Sequence, residues 1–265
     1  KNCPNLILVN SDYKSYSEFS KKFFDILYTY TNNIVQASID EAYMDITELA
    51  KKRHPLEVAK EIQDTLNKEY KLPVSIGIAP TLFLAKMASD LKKPLGITVI
   101  RKSDIVKKIL PLSIDDMFGI GKKTYPKLIN LGIHTIGDFT NPENKDRILS
   151  IMKEKSYYEY LAEINGTSND IVDPSKYAKP KSISNETTLP YDSDISDFLK
   201  EVLKKSLKEA YERMIEERML TKTVGIRLRY SNFETISKVI SFGDYTDDYT
   251  KIEDTVLELF DDNYL

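Results

Sequence analysis

Tyr16, Phe19, Phe23, Leu27 and Tyr30 recur at helical spacing behind Ser11 and Asp12, a pair suited to capping a helix. A short apolar stretch at 34–39 meets Asp40 and Glu41 and resumes at 42–47, which predicts two strand-like pieces joined at an acidic turn. Pro55 suits the first turn of a second helix, with Leu56, Ala59, Ile62, Leu66 and Tyr70 as its apolar stripe. Residues 74–79 read as a small buried strand. Thr81 reads as the cap of a helix reaching about Lys92, and Pro94-Leu95-Gly96 as its stop. A last short strand is predicted at 97–100. This alternation predicts an α/β sandwich on one sheet.

The pattern changes near residue 103. From there to 169 it predicts short helices, with a capping box at Thr135-Ile136-Gly137-Asp138. A polar stretch from 173, containing Pro174 and Pro180, reads as a linker. Beyond it, 182–189 reads as a strand. Residues 194–220 read as a long helix with Leu199, Val202, Ser206, Ala210 and Met214 on one side. Residues 223–230 and 237–242 read as paired strands, and 252–260 as a helix.

Composition excludes some classes. No apolar run approaches the roughly 20 residues that span a bilayer, and no signal-peptide pattern opens the sequence. The single cysteine, Cys3, rules out an internal disulfide framework, fits a reducing cytoplasm and has no partners for a zinc site. A net charge of −3 argues against a uniformly basic nucleic-acid binder but leaves room for a local basic face.

Four segments carry candidate chemistry. In Ser38-Ile39-Asp40-Glu41-Ala42-Tyr43-Met44-Asp45, two adjacent carboxylates between apolar pieces are costly unless solvated or bound to a cation. On the pair alone a solvated hairpin turn is favoured over a Mg2+ site. In 82–94, Lys86, Asp90 and Lys93 share one helical stripe, either as a solvated salt-bridged face or as ammonium groups beside a polyphosphate. Gly119, Gly121, Lys122 and Lys123 sit in a predicted hairpin between helices, where backbone N–H groups and lysines could meet a DNA phosphate; an ordinary tight turn is the alternative. In 223–230, alternation sets Arg227 and Arg229 on one face and Val224, Ile226 and Leu228 on the other, giving either a solvated amphipathic strand or a phosphate-facing one.

Together these blocks resemble the Y-family, or translesion, DNA polymerases. The octapeptide is similar to the family's S-I-D-E-A-[FY]-x-D signature. The 75–96 block is similar to S-x-G-I-[AS]…[FL]-A-K-[MI]-A-[AS]-D…K-P-N-G, except that Leu95 stands where Asn is usual. Residues 181–189 are similar to the K-S-[IV]-[GS]-x-x-x-T-[LF] opening of the family's little finger. The resemblance implies an α+β multi-domain fold: fingers end plus incomplete ferredoxin-like palm (1–102), all-α helix-hairpin-helix thumb (103–172), linker (173–180) and α+β little finger (181–265). It implies Asp40 and Glu41 as catalytic metal ligands for two Mg2+ ions, with Asp45 outside the ligand set. It further implies Lys93, supported by Lys86, as binders of the incoming dNTP.

Gly119, Gly121, Lys122, Lys123, Lys181, Ser182, Ser184, Arg227 and Arg229 would contact primer-template DNA. A sliding clamp would be a partner of the intact protein, the chain itself would be monomeric, and its location cytoplasmic. The family's N-terminal D-x-[DN]-x-F-[FY]-A-[SA]-V-E block, its fingers apart from 2–9, and its last strand have no counterpart in these residues. The expectation is therefore a fragment whose parent polymerises while the 265 residues alone do not. Two rival readings are a nucleotidyl cyclase, whose sheet also carries an acidic hairpin, and a non-enzymatic DNA-binding module.

Overall fold

The computed structural model describes residues 3–177 and 179–264. The chain divides into two compact units, one ending at Lys179 and one beginning at Pro180.

In the first unit, Asp12 caps helix α1 (Tyr13–Tyr28), accepting the Ser15 N–H at 3.2 Å. Of the stripe read from sequence Leu27 is buried and Tyr16 and Phe19 are exposed, and Phe24, outside that stripe, is buried as well. Strands β1 (Ile34–Gln36) and β2 (Ala42–Met44) pair antiparallel, with Val35 opposite Tyr43. The acidic turn joins them, closed where the Ala37 N–H donates to the Glu41 carbonyl at 2.9 Å. After the short helix α2 (Thr47–Ala50), Pro55 opens helix α3 (Pro55–Tyr70). Val58, Ile62 and Leu66 of α3 pack on α1 and β1 as one apolar cluster, Ala59 is also buried, and Leu56 stays at the rim. Of the segment 2–9, Asn2 lies outside the described residues. Residues 3–9 form no helix or strand and leave Leu6, Ile7, Leu8 and Val9 exposed.

Strand β3 (Ile76–Ile78), helix α4 (Leu82–Asp90) and strand β4 (Ile97–Val99) form a parallel strand–helix–strand unit, with Gly77 beside Thr98. Thr81 caps α4, accepting the Leu84 N–H at 3.3 Å. The helix ends at Asp90, two residues before the sequence-based limit, so Lys93 lies in the turn beyond it. The single sheet expected over this region is instead two two-stranded sheets among the described residues. Residues of β2 and β3 both line one cleft, and no ladder joins the two strands. Buried Gln63 of α3 donates to the carbonyls of Val74 and Leu95, 2.9 Å each, tying α3 to both ends of this unit.

Five short helices follow: α5 (Ile105–Lys108), α6 (Tyr125–Asn130), α7 (Ile136–Thr140), α8 (Lys145–Leu149) and α9 (Glu154–Ile164). Their core is continuous with α4. Phe83, Leu84 and Met87 share one buried cluster with Ile105, Ile114, Phe139, Tyr157 and Ile164. Thr135 and Asp138 form the expected capping box of α7. The chain then returns to α4, whose Leu82 N–H donates to Asp170 at 2.7 Å.

The second unit holds helix α10 (Ser196–Glu216), strands β5 (Thr221–Arg229) and β6 (Thr235–Thr246) in an antiparallel pair, and helix α11 (Tyr249–Asn263). Ile226, Val256, Leu259 and Phe260 are its core. From α10, Leu199, Leu203 and Leu207 pack there and Met214 is buried, so Leu199 and Met214 of the line read from sequence are borne out, while Leu203 and Leu207 take the core places read for Val202, Ser206 and Ala210. The strand expected at 182–189 does not form: no ladder bonds join it to β5 or β6. Its backbone is held by a side chain instead, Arg213 donating to the Ser184 carbonyl at 2.5 Å, and Asn185 donates to Glu209 of the same helix.

Candidate active site

The acidic turn projects between two apolar strands because Asp40 and Glu41 cannot be buried without partners. Asp40 is exposed and organised locally: the Ser38 hydroxyl donates to its carboxylate at 2.7 Å, and its own N–H donates to Ser38 Oγ at 3.2 Å. A second hydroxyl comes from outside the motif, Ser20 of α1 donating to the Ile39 carbonyl at 2.5 Å. Ser20 pins the turn to the helix, and sequence reading missed it. The available signal was a hydroxyl four residues after Tyr16 within an apolar stripe. Asp45 does not join the pair; it accepts the Thr47 N–H at 2.8 Å, and hydrogen bonds from Thr47 hold its carboxyl below the usual range.

Helix α4 brings the lysines to this turn. Lys86 Nζ donates to Glu41 Oε1 at 2.6 Å across 45 residues of sequence, and lies 3.4 Å from Asp90. Asp90 also pairs with Lys93 at 2.6 Å. Glu41, Lys86, Asp90 and Lys93 thus form one chain of alternating charge. Burial works against the Lys86 ammonium, yet its bond to Glu41 and the charge of Asp90 outweigh it and raise the pKa. For Asp90, burial is likewise outweighed by Lys93 and Lys86, and its pKa falls. Asp40, by contrast, has no ion pair among the described residues.

Asp40, Glu41, Lys86 and Lys93 all line one cleft of about 1280 Å³, walled by α1, the β1–β2 turn, β3 and α4. Two carboxylates with hard oxygen donors, one of them uncompensated, suit a divalent cation. Among the described residues no third Asp, Glu, His or Cys completes a group with them, so the pair would supply part of a coordination shell.

Gly77 sets how close α4 lies to β3. A β-carbon there would stand 2.0 Å from the Ala85 carbonyl oxygen and 2.6 Å from the Ser89 nitrogen, so only glycine lets the lysine helix rest on the strand. Leu95, in the turn after Lys93, has φ of +59°. Asn tolerates this left-handed conformation better than Leu, which gives the departure noted in the sequence a physical cost.

The other candidate residues lie elsewhere. The first arm of the predicted helical hairpin is a single 3-10 turn, Ile114–Asp116, and the second is the six-residue α6. Gly119 has φ of +87° and faces the Tyr160 hydroxyl, whereas Gly121 opens onto free space; Lys122 and Lys123 are exposed. In the second unit, Arg227 and Arg229 stand on the open face of β5, as alternation predicts, with Val224, Ile226 and Leu228 toward the core. Arg227 lies 3.8 Å from Glu186, and the Arg229 guanidinium lies 5.3 Å from the Phe233 ring centre. Lys181, Ser182 and Ser184 are exposed on the extended segment before α10.

The chain is similar to several known proteins. Residues 1–90 match the impB/mucB/samB family, and 180–265 match the impB/mucB/samB family C-terminal domain. DNA polymerase IV 1 of Halalkalibacterium halodurans is 40% identical over 240 residues, covering 90% of this chain and 57% of that protein. DNA polymerase IV of Listeria innocua is 36% identical over 265 residues, covering 100% of this chain and 73% of that one. The chain therefore spans less than two thirds of the length of the Halalkalibacterium relative. Among solved structures, a Y-family DNA polymerase chimera, Dbh-Dpo4(243-245)-Dbh, is similar with a TM-score of 0.86 and 26% identity, over 99% of this chain and 76% of that one. Among the described residues no helix is long and apolar enough to cross a membrane. This mixed α/β chain belongs to the Y family of DNA polymerases, the group of its DNA polymerase IV relatives.

Proposed function

We propose that the protein acts in template-directed DNA synthesis of the translesion type, adding dNMP from a dNTP to a primer 3'-hydroxyl. The observation that carries this reading is the convergence of the Asp40–Glu41 turn and the Lys86–Lys93 cluster on one cleft, linked by the 2.6 Å Lys86–Glu41 contact. In this reading 1–102 is the palm, 103–172 the thumb and 181–265 the little finger, joined through 173–180.

Asp40 and Glu41 would hold Mg2+, which when bound neutralises phosphate charge and lowers the pKa of the attacking hydroxyl. The chain's own residues do the rest. Ser20 and Ser38 fix the turn so that both carboxylates keep one geometry, and such positioning is a large part of phosphoryl-transfer catalysis. Lys93, exposed and lining the cleft, would receive the charge that builds on the departing pyrophosphate as the 3'-oxygen bonds to the α-phosphorus. The hydroxyl proton leaves with solvent. Lys122, Lys123, Arg227 and Arg229 would grip the DNA backbone, which positions a duplex without reading its sequence.

Primer extension by the intact parent protein with Mg2+ and matched dNTPs, run beside a duplex-binding titration, tests this. Replacing Asp40 and Glu41 together by Ala should abolish extension and leave duplex binding within about twofold. Extension that survives the double change refutes the assignment of the turn. Salt-sensitive binding with no extension from the intact parent protein supports a DNA-binding module instead, whereas the 265 residues alone are expected to bind without extending.

A further inference from the structure

The two carboxylates of the acidic turn are not equivalent. Asp40 is open and has no ion pair among the described residues, whereas Glu41 already holds an ammonium at 2.6 Å. The side chain of that lysine is 16% exposed against 46% for Glu41, so the cation is the more enclosed partner. Its backbone is also the better anchored. Helix α4 is locked by buried Phe83, Leu84, Met87 and Ala88 and rests against Gly77, so only the flexible stem of Lys86 can move the charge. A second acceptor, Asp90, lies 3.4 Å from the same nitrogen, giving the ammonium a place to remain when it leaves Glu41.

Resting on the polymerase reading above, we propose that Lys86 is a built-in counter-ion for Glu41 that gives up the carboxylate when a divalent cation binds the turn, and then offers its ammonium to the triphosphate in the cleft. With Lys86 on Glu41, an incoming divalent cation meets one free carboxylate and one like charge, and both weaken its binding. A triphosphate offers Lys86 another partner and removes that competition. Cation and triphosphate should therefore strengthen each other's binding by the same factor, because such coupling is reciprocal. If Lys86 were only a strut between α4 and the turn, its loss would loosen Glu41 and weaken cation binding, the opposite sign.

The test is a calorimetric Mn2+ titration of the 265-residue chain and of Lys86→Met, which keeps an apolar stem and removes the charge. Each is run alone and with a non-hydrolysable dNTP analogue, after allowance for Mn2+ held by the free analogue. Lys86→Met should bind Mn2+ alone about fivefold tighter, the scale of a partly exposed ion pair. The gain in Mn2+ affinity caused by the analogue should shrink in that variant, and Lys86→Arg should behave as the unaltered chain. Unchanged or weaker Mn2+ binding in Lys86→Met, with binding lost in Glu41→Gln, overturns the counter-ion role and leaves the acidic turn as the cation site. Mn2+ binding that ignores Glu41→Gln overturns both. Circular dichroism of each variant verifies that the fold is retained.

Discussion

Substituting Gly77 by Ala probes the contact that places the lysine helix. The added methyl would lie 2.0 Å from the Ala85 oxygen, 2.6 Å from the Ser89 nitrogen and 2.9 Å from the Ala88 β-carbon. Two of these atoms belong to helix backbone, so no side-chain rotation relieves them. Reaching an ordinary contact near 3.4 Å requires β3 and α4 to separate locally by about 1.4 Å. That separation opens the face carrying Phe83, Leu84, Met87 and Ala88, all buried.

Overpacking of this kind costs ~1–3 kcal/mol, and backbone atoms as the obstacle put Gly77→Ala at the upper end. The narrower unfolded ensemble of Ala returns about 0.4–1 kcal/mol. The net expectation is a loss of about 2 kcal/mol, read from amide hydrogen exchange in β3 and α4 and from urea denaturation followed by circular dichroism. Gly121→Ala is the control: its methyl meets nothing within 4 Å, so stability should hold or rise by a few tenths of a kcal/mol. Stability of Gly77→Ala within about 0.5 kcal/mol of the unaltered chain would refute the claim that this glycine sets the strand–helix distance.

Leu95→Asn should gain about 0.5–1 kcal/mol in denaturant titration, because Asn suits the left-handed backbone at φ of +59°. Asp138→Ala should cost about 1 kcal/mol at pH 7 through loss of the α7 cap. Burial opposes ionisation of Asp138, but N–H donors from Thr135 and His134 prevail and depress its pKa. Its contribution is therefore full above the unfolded value near 3.8 and lost as pH falls through the lower folded value, so the stability gap between the variant and the unaltered chain should begin to narrow only as pH falls below 3.8. Ser20→Ala should weaken Mn2+ binding about two- to fivefold in calorimetry, with little change in urea midpoint, because it frees the acidic turn from α1. Replacing Arg227 and Arg229 together by Ala should weaken duplex binding on any sequence and lower the slope of log K against log salt by about 1–2.

Much of this molecule is written in short-range pattern. The cap at Asp12, the proline opening α3, the Thr135–Asp138 box and the in–out alternation of β5 each depend on residues a few positions apart, and each appears in the structure. The acidic turn was legible for the same reason: two carboxylates between apolar pieces leave few local arrangements. The core of α10 was read only in part: Leu199 and Met214 hold, but its amphipathic stripe is weak and only packing on β5 and α11 selects Leu203 and Leu207 over Val202 and Ser206. The segment at 182–189 misled because β propensity does not supply a partner strand.

By itself the sequence determined which residues carry charge beside a turn or a helix, and where the helices capped by Asp12, Thr81 and Thr135 or opened by Pro55 begin. Tertiary structure alone decided that Lys86 meets Glu41 across 45 residues, that Ser20 of α1 holds the turn across 19, and that β2 and β3 both line one cleft rather than joining one sheet. The physical reason is range. Caps and periodicity are satisfied within a turn or two of backbone, whereas an ion pair between distant segments exists only once packed apolar faces have fixed where each segment lies.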